Sequence, residues 1–121
     1  ILQTSQSIVH QASKALNDCK LVIIAYRLGC VNWIYFRRKF ADIGATPFFV
    51  SLSASYENIV DGRRGRFFTP EEHERIKVMI AEGYGSRPFS DLVFETDKSD
   101  FQSTLAALEH KVRLLLGTAV A

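Results

Sequence analysis

Short apolar runs interrupt a chain that otherwise repeats its apolar residues at the spacing of helices. The runs are residues 21–26 (LVIIAY), 47–52 (PFFVSL) and 91–96 (DLVFET). None of them alternates strictly between apolar and polar positions, which is typical of strands that are buried on both faces. We therefore predict a buried strand at each of these positions.

Helical patterns lie before, between and after these runs. They cover residues 4–18, 31–40, 55–60 and 101–116. Gly44 and Gly117 follow the second and the last of these patterns, where a glycine in the left-handed conformation commonly ends a helix. A further helix has the clearest start, because Thr69 is a good N-cap, Pro70 suits the first turn, and the two glutamates after it complement the helix dipole.

These elements follow one another in the order α-β-α-β-α-α-β-α. Strands separated by helices require crossover connections, which are right-handed and give a parallel sheet. The sequence therefore predicts an α/β fold, a three-layer sandwich with a parallel sheet of at least three strands and helices on both faces. We expect residues 1–121 to form a single α/β domain, which is the later part of a longer domain if residues precede Ile1.

Composition narrows the class of protein. Hydrophobic residues make up 47% of the chain and charged residues 23%, the balance of a globular protein rather than a disordered one. No apolar run reaches the ~20 residues of a membrane span, so no membrane partner is expected. Cys19 and Cys30 are too few for a disulfide framework or a structural zinc site. Both lie beside apolar residues, and we expect buried thiols in a reducing, cytoplasmic compartment.

Cations follow the predicted strands at their carboxyl ends, where open α/β sheets bind their ligands. One arginine follows the first strand, three arginines spaced by glycines follow the second (DGRRGR), and a Thr-Asp pair follows the third. The glycines permit sharp turns and close approach, so the arginines can converge on an oxyanion. The candidate anion- or nucleotide-binding residues are Arg27, Arg63, Arg64, Arg66, Thr96 and Asp97. A solvated basic face is the alternative interpretation.

The order of these features resembles the C-terminal half of P-loop small-molecule kinases, above all adenylylsulfate kinase, with shikimate kinase and gluconate kinase as relatives. It is carried by the strand PFFVSLSAS, a short helix with Glu57, the arginines, a helical excursion and the strand DLVFETD before the last helix. The resemblance implies that the DGRRGR arginines belong to a lid and that residues 91–98 flank the nucleotide base. It also implies ATP and magnesium as cofactors.

A P-loop kinase also needs the loop G-x-x-x-x-G-K-[ST], whose lysine and hydroxyl contact phosphate and magnesium. This sequence contains no such loop, so no catalytic residue is assigned and the chain alone is not expected to be an enzyme. Two functions remain open. One is the ligand- and lid-bearing portion of a nucleotide-dependent phosphotransferase that acts on a small anionic substrate. The other is a non-catalytic α/β binding or regulatory module that recognises an anionic ligand or a protein partner.

Metal and nucleic-acid sites are less well supported by the pattern. The three histidines lie on separate helical segments without ligand spacing, which favours surface histidines over a metal site. Trp33 and Phe36 precede Arg37 and Arg38, as in proteins that stack bases and neutralise phosphates. However, the net charge is only +2, and a helix that packs its aromatic residues on the sheet explains the same pattern. A nucleic-acid partner is therefore not expected.

Overall fold

A computed structural model describes residues 2–120, without the side chains of residues 64 and 118–120. The elements are α1 (Gln3–Ala15), α2 (Cys30–Asp42), β1 (Val50–Ser53), α3 (Tyr56–Ile59), a 3₁₀ turn (Gly62–Arg64), α4 (Pro70–Ala81), β2 (Leu92–Glu95) and α5 (Phe101–Val120). The chain divides into an N-terminal unit, Ile1–Phe49, and a C-terminal unit, Val50–Ala121. The expectation of a single domain stays a prediction.

The predicted three-layer sandwich with a sheet of three or more strands is wrong. Over the described residues the sheet has two strands, β1 and β2, which pair in parallel from Val50↔Leu92 to Ser53↔Glu95. Residues 21–26 lie in the connection between α1 and α2 and form neither a strand nor a helix. Their apolar, β-branched composition gives them a preference for strands, but a strand also needs a neighbour to complete its hydrogen-bond ladder. The described residues provide none, and most of the molecule is helical.

The N-terminal unit is held together by the contact between α1 and α2. Its buried core consists of Ala12, Phe36 and Phe40, and the two phenylalanine rings are stacked with their centroids 5.9 Å apart. A buried polar contact reinforces it, since the Asn32 side-chain amide donates to the hydroxyl of Ser5 at 3.0 Å. Phe36 therefore packs against α1 and not against a sheet, and Trp33 lies against Phe49, which corrects the sequence-based interpretation.

The observed ends of three helices can be compared with the helix start and stop positions that the sequence predicts. The N-cap and first turn of α4 are confirmed, because Thr69 and Glu72 form a capping box. Gly44 follows α2 with φ of 75°, as predicted. The predicted stop at Gly117 is wrong, because α5 continues to Val120. A glycine inside a helix costs only about 1 kcal/mol, which the rest of the helix can offset.

The thiols and the surface complete the description of the fold. Cys19 and Cys30 are exposed and not buried as predicted, because the segment between them is an exposed connection rather than a core strand. The Cys19 thiol donates to the carbonyl of Ala15 at 3.0 Å. Within residues 2–120, no helix combines the length and the hydropathy needed to cross a membrane.

Replacement of Phe36 by alanine tests the small core of the N-terminal unit. Phe36 is only 3% exposed, and loss of a buried phenylalanine side chain costs about 3 kcal/mol or more through lost transfer energy and the cavity left behind. Trp33, the single tryptophan, lies edge-on to Phe49 at 6.3 Å, so its fluorescence reports urea unfolding of this unit. The control Ile23→Ala removes a side chain that is 86% exposed. Equal unfolding midpoints for the two variants would contradict the assigned core.

Candidate functional site

The carboxyl ends of β1 and β2 are joined by a threonine. The backbone amide of Thr96 donates to the carbonyl of Ser53 at 2.8 Å, and its hydroxyl donates to the same oxygen at 3.2 Å. The loop after β2 therefore stays bound to β1 one residue beyond the end of the ladder. Both polar groups of Thr96 serve this junction.

An aspartate extends the junction to α3. Oδ2 of Asp97 accepts hydrogen bonds from the Ser55 backbone amide at 2.8 Å and from the Asn58 side-chain amide at 2.9 Å. Ser55 is also the N-cap of α3, so one carboxylate fixes the start of this helix at the strand ends. These hydrogen bonds favour the ionised form and lower the pKa of Asp97 to about 2. A negative charge is therefore held at the carboxyl edge of the sheet.

A third loop, which contains Gly85, approaches the same edge of the sheet. A Cβ atom on Gly85 would lie 3.3 Å from the Cα of Ser53 and 3.4 Å from the carbonyl oxygen of Leu52, so a larger residue here would have to shift the end of β1 by a few tenths of an ångström. Arg87 follows two positions later; its guanidinium stacks on the Tyr84 ring at 3.9 Å and donates to the Glu82 carbonyl at 3.0 Å. The signal in the sequence was the combination of glycines, an aromatic residue and an arginine in GYGSR.

Arg63 is oriented by the aspartate two residues before it. Its guanidinium contacts both carboxylate oxygens of Asp61, with the shortest N–O distance at 2.6 Å. The same carboxylate caps the 3₁₀ turn, since it accepts from the Arg63 backbone amide at 3.0 Å. The hydrogen bonds and charge of Asp61 raise the pKa of Arg63. The Arg63 side chain is nevertheless 90% exposed.

Arg66 is oriented by different neighbours. A guanidinium nitrogen lies 3.8 Å from a carboxylate oxygen of Glu72, and the guanidinium carbon lies 4.8 Å from the centroid of the Phe68 ring. Glu72 belongs to the capping box of α4, and the hydrogen bond from the Thr69 backbone lowers its pKa. Arg66 is therefore placed beside the N-terminus of α4 and stays largely exposed.

The six candidate residues occupy three different settings. Thr96 and Asp97 bind the strand ends together, whereas Arg63 and Arg66 lie on the connection from α3 to α4 with separate carboxylate partners. The Arg64 side chain lies outside the described part of the structure. Arg27 belongs to the N-terminal unit. The assignment of all six to one anion site therefore stays a prediction.

A histidine that was expected at the surface joins α3 to α4. The hydroxyl of Tyr56 lies 2.7 Å from Nδ1 of the half-buried His73. The Phe68 ring meets the imidazole edge-on at 6.0 Å, and the Lys77 ammonium lies 5.1 Å from the centre of the Tyr56 ring. These contacts hold the two ends of the arginine-bearing connection, because Tyr56 precedes it and His73 follows it.

Comparisons with models of known families, with curated proteins and with solved structures found no match. Within residues 2–120, no group of three or more histidine, cysteine or acidic side chains could hold a metal ion. The residues of the site offer guanidinium groups on the connection between α3 and α4 and a fixed carboxylate at the strand ends.

The Asp97 junction predicts a specific loss of stability in acid. Because its folded pKa is depressed from 3.8 to about 2, Asp97 stabilises the folded state above pH 4 and loses this effect as the pH falls towards 2. Urea unfolding of the wild type, followed by far-UV circular dichroism, should show this decline. The Asp97→Asn variant should be less stable than the wild type at pH 7, and its stability should fall less as the pH is lowered. Asp18→Asn, in the N-terminal unit, is the control; matching pH profiles for both variants would contradict the junction.

Proposed function

We propose that the C-terminal unit binds a small phosphate-bearing anion through the arginine segment, residues 61–66 (DGRRGR). The observation that carries this proposal is the presentation of Arg63 and Arg66 to solvent, each oriented by a carboxylate and both on the connection that leaves β1. Guanidinium groups suit phosphate because their planar N–H donors match two of its oxygens at once.

The carboxylate partners do not prevent such binding. The pair between Arg66 and Glu72 is exposed on both sides, and such an ion pair contributes about 1 kcal/mol or less, so a phosphate with two negative charges can displace Glu72 at little cost. The Arg63 side chain is 90% exposed while it is paired with Asp61, so a phosphate can reach it without displacing that carboxylate. Before the ligand arrives, the same carboxylates restrict the long arginine side chains. This restriction lowers the entropy that binding must remove.

The turn that carries the arginines depends on its glycines. Gly65 has φ of 78°, a conformation that side-chain-bearing residues rarely adopt. A Cβ atom on Gly62 would lie 3.1 Å from Cε1 of Phe67. Three arginines lie within four consecutive positions of this sequence. Such density of positive charge suits an anion with several charges, such as a di- or triphosphate.

The topology of the C-terminal unit favours a second candidate function. Two parallel strands are connected through a short helix, the arginine segment and a capped helix, which is the order found in the C-terminal half of the P-loop kinases that the sequence resembles. In that case the unit is the ligand- and lid-bearing portion of a nucleotide-dependent phosphotransferase. ATP and magnesium would then be its cofactors, and the phosphate-binding loop would have to come from outside these residues.

A cytoplasmic location belongs to the same proposal. A nucleoside triphosphate is abundant in the cytoplasm, and the exposed thiols of Cys19 and Cys30 suit a reducing compartment.

Removal of the arginines tests anion binding directly. A hydrogen bond to a charged group contributes about 1.5–3 kcal/mol, so loss of one productive arginine should weaken binding about tenfold to a hundredfold. In calorimetric titrations, we expect the single variants Arg63→Ala and Arg66→Ala to bind ATP more weakly than the wild type. The triple variant, which combines them with Arg64→Ala, should bind ATP more weakly still. The difference should shrink at high salt, where screening has already reduced the attraction.

The control is a triple variant with the same loss of charge, Arg75→Ala, Lys111→Ala and Arg113→Ala, at exposed helix positions of the same unit. Its affinity should match that of the wild type. Equal affinity of the wild type and the arginine-segment variant would overturn the proposal. Tripolyphosphate separates the two functions: binding as tight as that of ATP indicates a general anion module, whereas tighter binding of ATP indicates a nucleotide site.

A further inference from the structure

Helix α2 has a second apolar side that its packing on α1 leaves open. Val31 is 61% exposed and Ile34 is 44% exposed, and Ala41 lies about three turns beyond Val31 and two turns beyond Ile34 on the same side of the helix. Two shallow hollows, of about 360 and 560 Å³, share Ile34, Arg38 and Ala41 as lining residues. The unit thus combines a small core on one side of α2 with an open apolar strip on the other.

Three cations border this strip, namely Arg37, Arg38 and Lys39. The Arg37 guanidinium lies 5.4 Å from the centre of the Trp33 ring, and the Lys39 ammonium lies 5.9 Å from that of Tyr35. Among the described residues, no carboxylate forms an ion pair with any of the three. The positive charge beside the strip is therefore not neutralised by an ion pair in the part of the chain that the structure describes, although Asp42 lines one end of the larger hollow.

The contacts of these side chains argue against several partners. A second copy would bring the same cations face to face, and like charges across an interface are unfavourable. Stacking of nucleic-acid bases requires open aromatic faces, but Arg37 and Lys39 lie over the rings of Trp33 and Tyr35. Membrane-surface helices insert large apolar side chains, whereas Phe36 is buried against α1.

We propose that this cationic face of α2, formed by Val31, Ile34, Ala41, Arg37, Arg38 and Lys39, binds an acidic amphipathic segment of a partner protein. Apolar side chains of the segment lie over Ile34 and Ala41, as when a helix binds in a groove. Its carboxylates pair with the three cations, which provides charge complementarity. This interaction is separate from anion binding by the C-terminal unit and does not rest on it.

A designed helical peptide tests the proposal with the full chain. The probe has about 14 residues, or four helical turns, with leucine on one face and glutamate beside it; the matched peptide has glutamine in place of glutamate. We expect a change in Trp33 fluorescence on titration with the glutamate peptide, weaker binding at high salt, and at least tenfold weaker binding of the glutamine peptide. Arg38→Glu should weaken binding of the glutamate peptide about tenfold, equal to ~1.4 kcal/mol.

The controls place the same changes on α4, where Arg75→Glu reverses an exposed cation and Ile80→Ala shortens an exposed apolar side chain. Ile34→Ala should weaken binding more than Ile80→Ala, and circular dichroism verifies that every variant is folded. Equal affinity for the two peptides, or equal effects of Arg38→Glu and Arg75→Glu, would overturn the proposal. The proposal would also be overturned if the glutamate peptide failed to bind and the face bound single-stranded RNA, anionic phospholipid vesicles or a second copy of the chain instead.

Discussion

The carboxylate of Asp97 is the interaction on which the C-terminal unit depends. A two-stranded parallel sheet has only one ladder, and that ladder needs a crossover to return the chain to its starting edge. Asp97 accepts from Ser55 and Asn58, so it connects the end of β2 to the beginning of that crossover. Thr96 adds two bonds to Ser53 at the same place. Together these hydrogen bonds join the loop after β2 both to the end of β1 and to the start of α3.

The sequence allowed prediction of those elements that depend on residues close together in the chain. It did not allow prediction of elements whose formation depends on contacts with distant residues. The capping box at Thr69 and the left-handed turn at Gly44 use groups within a few residues of each other, so both could be identified from the sequence. Residues 21–26 have the composition of a strand, but a strand forms only beside a neighbour with matching donors and acceptors. The prediction that both cysteines are buried was wrong for the same reason, because it assumed that residues 21–26 form a buried strand.

The residue types of the candidate site could be predicted from the sequence, whereas its geometry could be predicted only in part. Charge density in DGRRGR identified the arginines, because exposed cations need no distant partner. The ion pair between Arg63 and Asp61 joins residues only two positions apart. The contact between Gly85 and the end of β1, by contrast, joins segments that are far apart in the sequence. His73 was expected to be solvated, since nothing in its own helix indicates that Tyr56 lies opposite.

In the proposed anion site, the negative charge at the strand ends would influence where a phosphate binds. Asp97 stays ionised down to about pH 2, and a fixed negative charge repels phosphate at the carboxyl edge, where α/β folds ordinarily hold their ligands. The arginine segment follows the single turn of α3. In the proposed anion site, Asp97 would act by positioning α3, and the arginines would provide the attraction.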